Sequence, residues 1–98
     1  MSQMTAIVRR YTRLIRNGRT PKTIIAHMRG EVEELQDEIN GTGDGRDGIV
    51  GESIDIVACA LDLVFEVKPD ITDEEIDAIM EAKCAKWARK VNEGAYDL

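Results

Sequence analysis

The sequence predicts an all-α fold, a four-helix bundle-like domain spanning residues 1–98, and three observations predict it. Apolar residues recur at three- and four-residue steps in four separate runs, which places them on one face of a helix each time. Turn and capping signals divide the runs: Asn17-Gly18, Thr20-Pro21, the segment NGTGDGRDG and Lys68-Pro69. Apolar residues make up 43% of the chain and aromatics only 4%, so the core is aliphatic, and 98 residues are enough for one such core.

The first helix is expected from about Gln3 to Arg16, with Ile7, Val8, Tyr11, Leu14 and Ile15 as its apolar stripe and Asn17-Gly18 as its end. The second starts at Thr20-Pro21, because Thr is a good N-cap and Pro a good first helical residue, and runs to about Ile39. Its core stripe is Ile24, Ile25, Met28, Val32, Leu35 and Ile39, and beside that stripe run His27, Glu31, Glu34 and Glu38. Residues Asn40 to Gly48 hold four glycines and no apolar side chain and read as a loop, whose Asp44 and Asp47 do not fit a calcium-loop pattern and receive no metal role. The third helix, about Ile49 to Val67, is apolar nearly all round and is expected to be buried on most sides, with Asp62 and Glu66 near its end reaching water. The fourth opens on the capping box Thr72–Glu75 and runs to about Asn92, with Ile76, Ile79, Met80, Cys84, Trp87 and Val91 as its core stripe.

Charge and cysteine content narrow the function classes. With 33% charged residues and no apolar run near 18 residues, the chain reads as a cytoplasmic protein and excludes a membrane span. Cys59 and Cys84 form no C-x-x-C pair and read as free buried thiols. The net charge of −6 is unevenly spread. Residues 1–30 carry Arg9, Arg10, Arg13, Arg16, Arg19, Lys22 and Arg29 and no acid, and all 19 acids lie in residues 31–98. Such an arm on an acidic body suits a polyphosphate, a nucleic acid or the acidic surface of a second subunit, against the plainer reading of a solvated helix face with Arg9, Arg13 and Arg16 opposite the apolar stripe.

The chemistry concentrates in two carboxylate pairs. Glu31 and Glu34 stand three apart in GEVEELQDEI, and Glu52 and Asp55 three apart in GESIDIVACALDL, so each pair points to one side of its helix. On antiparallel neighbours the pairs meet, and four like charges in a desolvated place require a cation. An all-oxygen ligand set selects a hard ion, Mg²⁺ or Mn²⁺. A solvated acidic face would account for Glu31, Glu33, Glu34 and Glu38 alone. It does not account for Glu52 and Asp55, which sit on the most apolar helix, where an unpaired charge costs several kcal/mol in effective terms, on the order of an uncompensated buried ion. A di-iron bundle calls for Glu-x-x-His motifs, and the single His27 precedes its Glu pair.

These residues carry a family resemblance. E-x-x-E, a 17-residue gap, then E-x-x-D resembles the all-α nucleoside triphosphate pyrophosphohydrolases, the MazG-like group that includes dimeric dUTPases, dCTP pyrophosphatases and phosphoribosyl-ATP pyrophosphohydrolases. TPKTIIAHMRGEVEEL is similar to the TP…GEVGEL stretch of the dCTP pyrophosphatase-like members, ESIDIVACALDL to the E-L-x-D-V run, and KCAKWAR to the basic ending. The similarity covers residues 20–90 and departs at Ser53-Ile54. It implies Mg²⁺-dependent hydrolysis of the α–β phosphoanhydride of a nucleoside triphosphate to a monophosphate and pyrophosphate. It implies Glu31, Glu34, Glu52 and Asp55 as metal ligands and Lys83, Lys86 and Arg89 as phosphate contacts. Glu34 and Glu52 are the catalytic candidates, with Glu34 the choice for general base, and His27 is a substrate or outer-sphere candidate set against an exposed helix histidine. The run ESIDIV lacks the E-A-A-D-L form of the phosphoribosyl-ATP enzymes, so that activity is the near alternative, and a non-catalytic helical interaction module is the alternative of another class. Family resemblance and the apolar third helix both point to a homodimer or homotetramer.

Overall fold

Two threonines show why the chain starts helices where it does. The Thr20 hydroxyl accepts from Thr23 N–H at 3.2 Å while Thr20 N–H donates to the Thr23 hydroxyl at 2.9 Å, and Pro21 follows with its φ already helical. The Thr72 hydroxyl accepts from Glu75 N–H at 3.1 Å and Thr72 N–H donates to the Glu75 carboxylate at 3.1 Å. The computed structural model describes residues 3–15 and 18–94 and contains α1 (Gln3–Thr12), α2 (Pro21–Asn40), α3 (Gly48–Val67) and α4 (Asp73–Asn92), with no strand among the described residues. The fold is therefore all-α, as the sequence predicts. No helix among the described residues is long and apolar enough to cross a membrane.

The described chain forms two compact units, Gln3–Pro69 with α1, α2 and α3, and residues 70–94 with α4. In the first, α2 and α3 are an antiparallel hairpin, and α1 lies against α3. The hairpin turns at Gly41, whose φ of 77° closes α2 in the left-handed conformation that glycine adopts without strain. The loop is organised by Glu38, whose carboxylate accepts from Gly45 N–H at 3.0 Å and occupies the space where a side chain at residue 43 would stand. Arg9 crosses from α1 to lie 4.2 Å over the Phe65 ring of α3. Arg19, between α1 and α2, donates through Nε to Asp62 of α3 at 3.0 Å and through a second guanidinium nitrogen to its other oxygen.

Several expectations change. α1 is one turn shorter than predicted, ending at Thr12, where the Thr12 hydroxyl donates to the Arg9 carbonyl at 3.1 Å and tighter turns take over through Ile15. The Arg16 and Asn17 part of that expectation lies outside the described residues. Arg9 is half-buried on Phe65 rather than solvated, and Asp62 is ion-paired and largely buried rather than open to water. Cys59 and Cys84 are both free, but Cys59 is half-buried and Cys84 is exposed. Most consequential, α3 is not buried on most sides: Glu52 and Phe65 are its buried residues, while Val50, Ile54, Val57 and Val67 are exposed, because α1 and α2 cover only part of its circumference. The stripes of α2 and α4 likewise remain partly uncovered, with Ile25, Val32, Ile39, Ile79, Met80 and Trp87 exposed.

Candidate metal centre

The hairpin register brings the two carboxylate pairs together. His27 and Cys59 border one cavity, and Glu34 stands against Glu52 two turns further along, so the acids of α2 and α3 lie level with one another. Glu31, Glu52 and Asp55 each present a carboxylate oxygen, and these atoms all lie within 4.8 Å of one another. Glu52 is 5% exposed and Glu31 and Asp55 are half-buried. Isolated carboxylates are rarely brought this close in a sheltered place unless a cation or a proton offsets the repulsion.

Oε2 of Glu31 and Oε2 of Glu52 are buried and have no hydrogen-bond partner. Oxygens in that condition are costly, and an oxygen-binding divalent cation held among these carboxylates would offset that cost. The donor set, three carboxylates with no sulfur and no imidazole nitrogen among them, fits Mg²⁺ or Mn²⁺. Without a cation, protons take its place. The Glu52 carboxyl is pushed up to about 7 from the ordinary 4.5 by burial first, then by a hydrogen bond shared with Glu34 and by the charges of Glu34 and Asp47. Burial also raises Glu31, against the pull of its hydrogen bond to His27.

The other expected site residues separate into groups. Glu34 is outside the three-carboxylate cluster and exposed, yet it is the neighbour whose carboxylate bears most on Glu52. His27 is exposed, as the plainer reading holds, and its Nε2 also lies 2.9 Å from Oε1 of Glu31, so it orients a cluster carboxylate from outside. Lys83, Lys86 and Arg89 are exposed on α4, and Arg89 Nε stands 3.9 Å from Glu93 one turn on.

Sequence reasoning passed over the loop acids. Asp44 and Asp47, given no metal role, line a cavity of about 420 Å³ with Glu34, Asp37, Glu38 and Glu52, opening beside the cluster. Their density between two acidic helix ends was the available signal. A third cavity, about 390 Å³, is bordered by Ile7 and Tyr11 of α1, by Ile15 beyond its end, by Ala58 and Cys59 of α3, and by His27, which it shares with the cluster's edge. Comparison with known proteins adds no relative: no family model, no curated protein and no solved structure matches this chain.

Proposed function

We propose that the chain is a Mg²⁺-dependent nucleoside triphosphate pyrophosphohydrolase of the MazG-like kind, converting an NTP or dNTP and water to the monophosphate and pyrophosphate. The observation that carries this reading is the set of three carboxylate oxygens within 4.8 Å, two of whose residues hold a buried oxygen without a partner. Glu31, Glu52 and Asp55 hold the cation, with Mn²⁺ able to substitute. When bound, the divalent ion neutralises charge on the phosphate oxygens and leaves coordination positions for phosphate and water.

The chain's own residues then divide the work. Glu34, at the edge of the cluster and open to solvent, accepts the proton of the water that attacks phosphorus, the α–β anhydride breaks, and pyrophosphate leaves. Glu52 keeps its carboxylate in the cluster, sheltered from bulk water. His27 holds the Glu31 carboxylate in place. The apolar cavity with Tyr11 begins at His27, one turn from Glu31, and suits the flat, weakly polar base of a nucleotide whose phosphates reach the carboxylates. Lys83, Lys86 and Arg89 remain the proposed phosphate contacts, on resemblance alone. The protein acts in the cytoplasm as a homodimer or homotetramer.

The test is pyrophosphate release from a panel of ribo- and deoxyribonucleoside triphosphates with and without Mg²⁺. Release that requires Mg²⁺ and disappears in Glu52→Gln is the expected result. A folded protein that binds Mg²⁺ and releases pyrophosphate from none of them sinks the reading.

A further inference from the structure

The apolar cavity, the carboxylate cluster and the loop cavity share walls, which sets their order along the hairpin. His27 borders the apolar cavity, and its Nε2 lies 2.9 Å from Oε1 of Glu31 in the cluster. Glu52 belongs to the cluster and also lines the loop cavity of about 420 Å³, with its Oε2 buried and without a hydrogen-bond partner. From His27 to Glu38 on the loop cavity is about three turns of α2, roughly 16 Å at 1.5 Å per residue. All of these residues belong to the unit Gln3–Pro69. A triphosphate with its base at His27 and its α-phosphate at the cluster has one direction left for its β- and γ-phosphates, past Glu52 into the loop cavity.

That cavity is acidic, and one residue on its wall is not. Six carboxylates, from Glu34 to Glu52, line it together with a single cation, Arg46. Arg46 is also the only Lys or Arg between Arg29 and Lys68. The loop backbone is fastened around it: Gly45 N–H donates to the Glu38 carboxylate at 3.0 Å, and Arg46 N–H donates to Oδ1 of Asp44 at 2.9 Å. The guanidinium itself is 83% exposed, and its Nε stands 3.9 Å from Oδ2 of Asp44. An ion pair that long between exposed groups contributes little, so the guanidinium can turn to a stronger partner at small cost. Gly43 N–H is engaged with the Asp37 carbonyl at 3.1 Å, so with Gly45 and Arg46 also bonded within the loop, a phosphate here meets the Arg46 side chain and not a nest of free backbone donors.

We propose that the loop cavity holds the leaving pyrophosphate, as its Mg²⁺ complex, with Arg46 as the phosphate contact. The inference rests on the hydrolysis proposed above and adds to it a residue and a direction for the substrate. The water oxygen bonds to the α-phosphorus, its proton passes to Glu34, and the bridging oxygen leaves on the β-phosphorus with the electron pair of the broken bond. Negative charge therefore grows on the β-phosphate, the end of the breaking bond that lies toward the loop. The planar fork of a guanidinium meets two phosphate oxygens at once. One guanidinium does not offset six carboxylates, so the anion that fits is the magnesium complex, its Mg²⁺ shared between phosphate oxygens and one or two of the acids. Lys83, Lys86 and Arg89 are assigned by resemblance, whereas Arg46 is assigned by its place on a cavity that shares Glu52 with the cluster.

The test is calorimetric binding of pyrophosphate, in excess Mg²⁺, to the full-length wild type, Arg46→Ala and Arg46→Lys, with the four deoxynucleoside monophosphates as comparison ligands. Arg46→Ala is expected to weaken pyrophosphate binding on the order of tenfold, the loss of a hydrogen bond between charged groups, and to leave the monophosphates unchanged. Arg46→Lys keeps the charge but not the fork and should fall between. Helical circular dichroism stays the same in both, because the side chain is exposed. In turnover the same loss appears in KM for the triphosphate and in inhibition by pyrophosphate. A wild type that binds no magnesium pyrophosphate overturns the proposal, as does equal affinity in wild type and Arg46→Ala. Equal weakening of monophosphate and pyrophosphate also overturns it, since that is a general effect of lost positive charge. Hydrolysis that proceeds alike in wild type and Arg46→Ala removes Arg46 and leaves the hydrolase reading standing. Binding of magnesium pyrophosphate that depends on Arg46, in a protein that hydrolyses no triphosphate, upholds the cavity and sinks that reading.

Discussion

Glu52 is the residue at which stability and chemistry conflict. Its carboxyl titrates near 7 in the folded chain and near 4.5 unfolded, so the folded state binds the extra proton. That contribution to stability is fully present below pH 4.5 and is lost as pH rises through about 7. In chelator, the wild type is therefore expected to melt at a lower temperature at pH 8 than at pH 6. Glu52→Gln, which carries no such charge, should lose less over the same interval, as thermal melts at the two pH values will show. With metal present the order inverts, because a cation competes with the proton and binds more tightly as pH rises to about 7. Isothermal titration should accordingly register proton release on Mg²⁺ binding at pH 6. At the same scale, Asp55→Asn should abolish turnover while circular dichroism stays unchanged. Arg19→Ala strips a largely buried Asp62 of both its hydrogen bonds and is expected to lower unfolding stability by about 2–3 kcal/mol, read from urea denaturation.

Among the elements, helix boundaries follow from residues that satisfy backbone groups. Thr72→Ala removes a hydroxyl that accepts from Glu75 N–H and should cost about 1 kcal/mol in chemical denaturation, against a few tenths for Thr72→Gly. Where such residues stand in the sequence the elements were legible: Thr20-Pro21, Thr72 with Glu75, and the stop at Val67 before Lys68-Pro69 all fall where predicted. The end of α1 was not, because its apolar positions continue through Leu14 and Ile15 with no breaker before residue 17, whereas the helix ends at Thr12, whose hydroxyl bonds back to the Arg9 carbonyl. The two carboxylate pairs were legible for the same reason as the caps, since spacing along one helix fixes direction. The involvement of Asp47 and the pairing of Arg19 with Asp62 were not, since both depend on how a loop or linker returns to a helix 43 residues away in the second case.

For the molecule as a whole, the proposed metal site would couple ligand to fold. Three carboxylates gathered within 4.8 Å repel one another, and a cation that bound only the folded chain would offset this by mass action. At a Mg²⁺ concentration about 100 times its dissociation constant the gain is about 2.7 kcal/mol, so the melting temperature should climb with added Mg²⁺ and stay flat in Glu52→Gln. What the sequence could not convey at this scale is how little of its apolar surface one chain buries: a stripe predicts that a face is covered, not whose side chains cover it. Ile25, Val32 and Ile39 of α2, and Ile49, Ile56 and Leu63 of α3, each recur every seven residues. A stripe repeating every seven residues drifts by about 20° per repeat on a straight helix of 3.6 residues per turn. Two repeats on each helix therefore separate the first and last side chains of a stripe by roughly 40° unless α2 and α3 wind around one another with a left-handed twist. Inserting a single residue between Glu38 and Ile39 would swing Ile39 by about 100° out of its stripe while leaving Glu31 and Glu34 where they stand on α2.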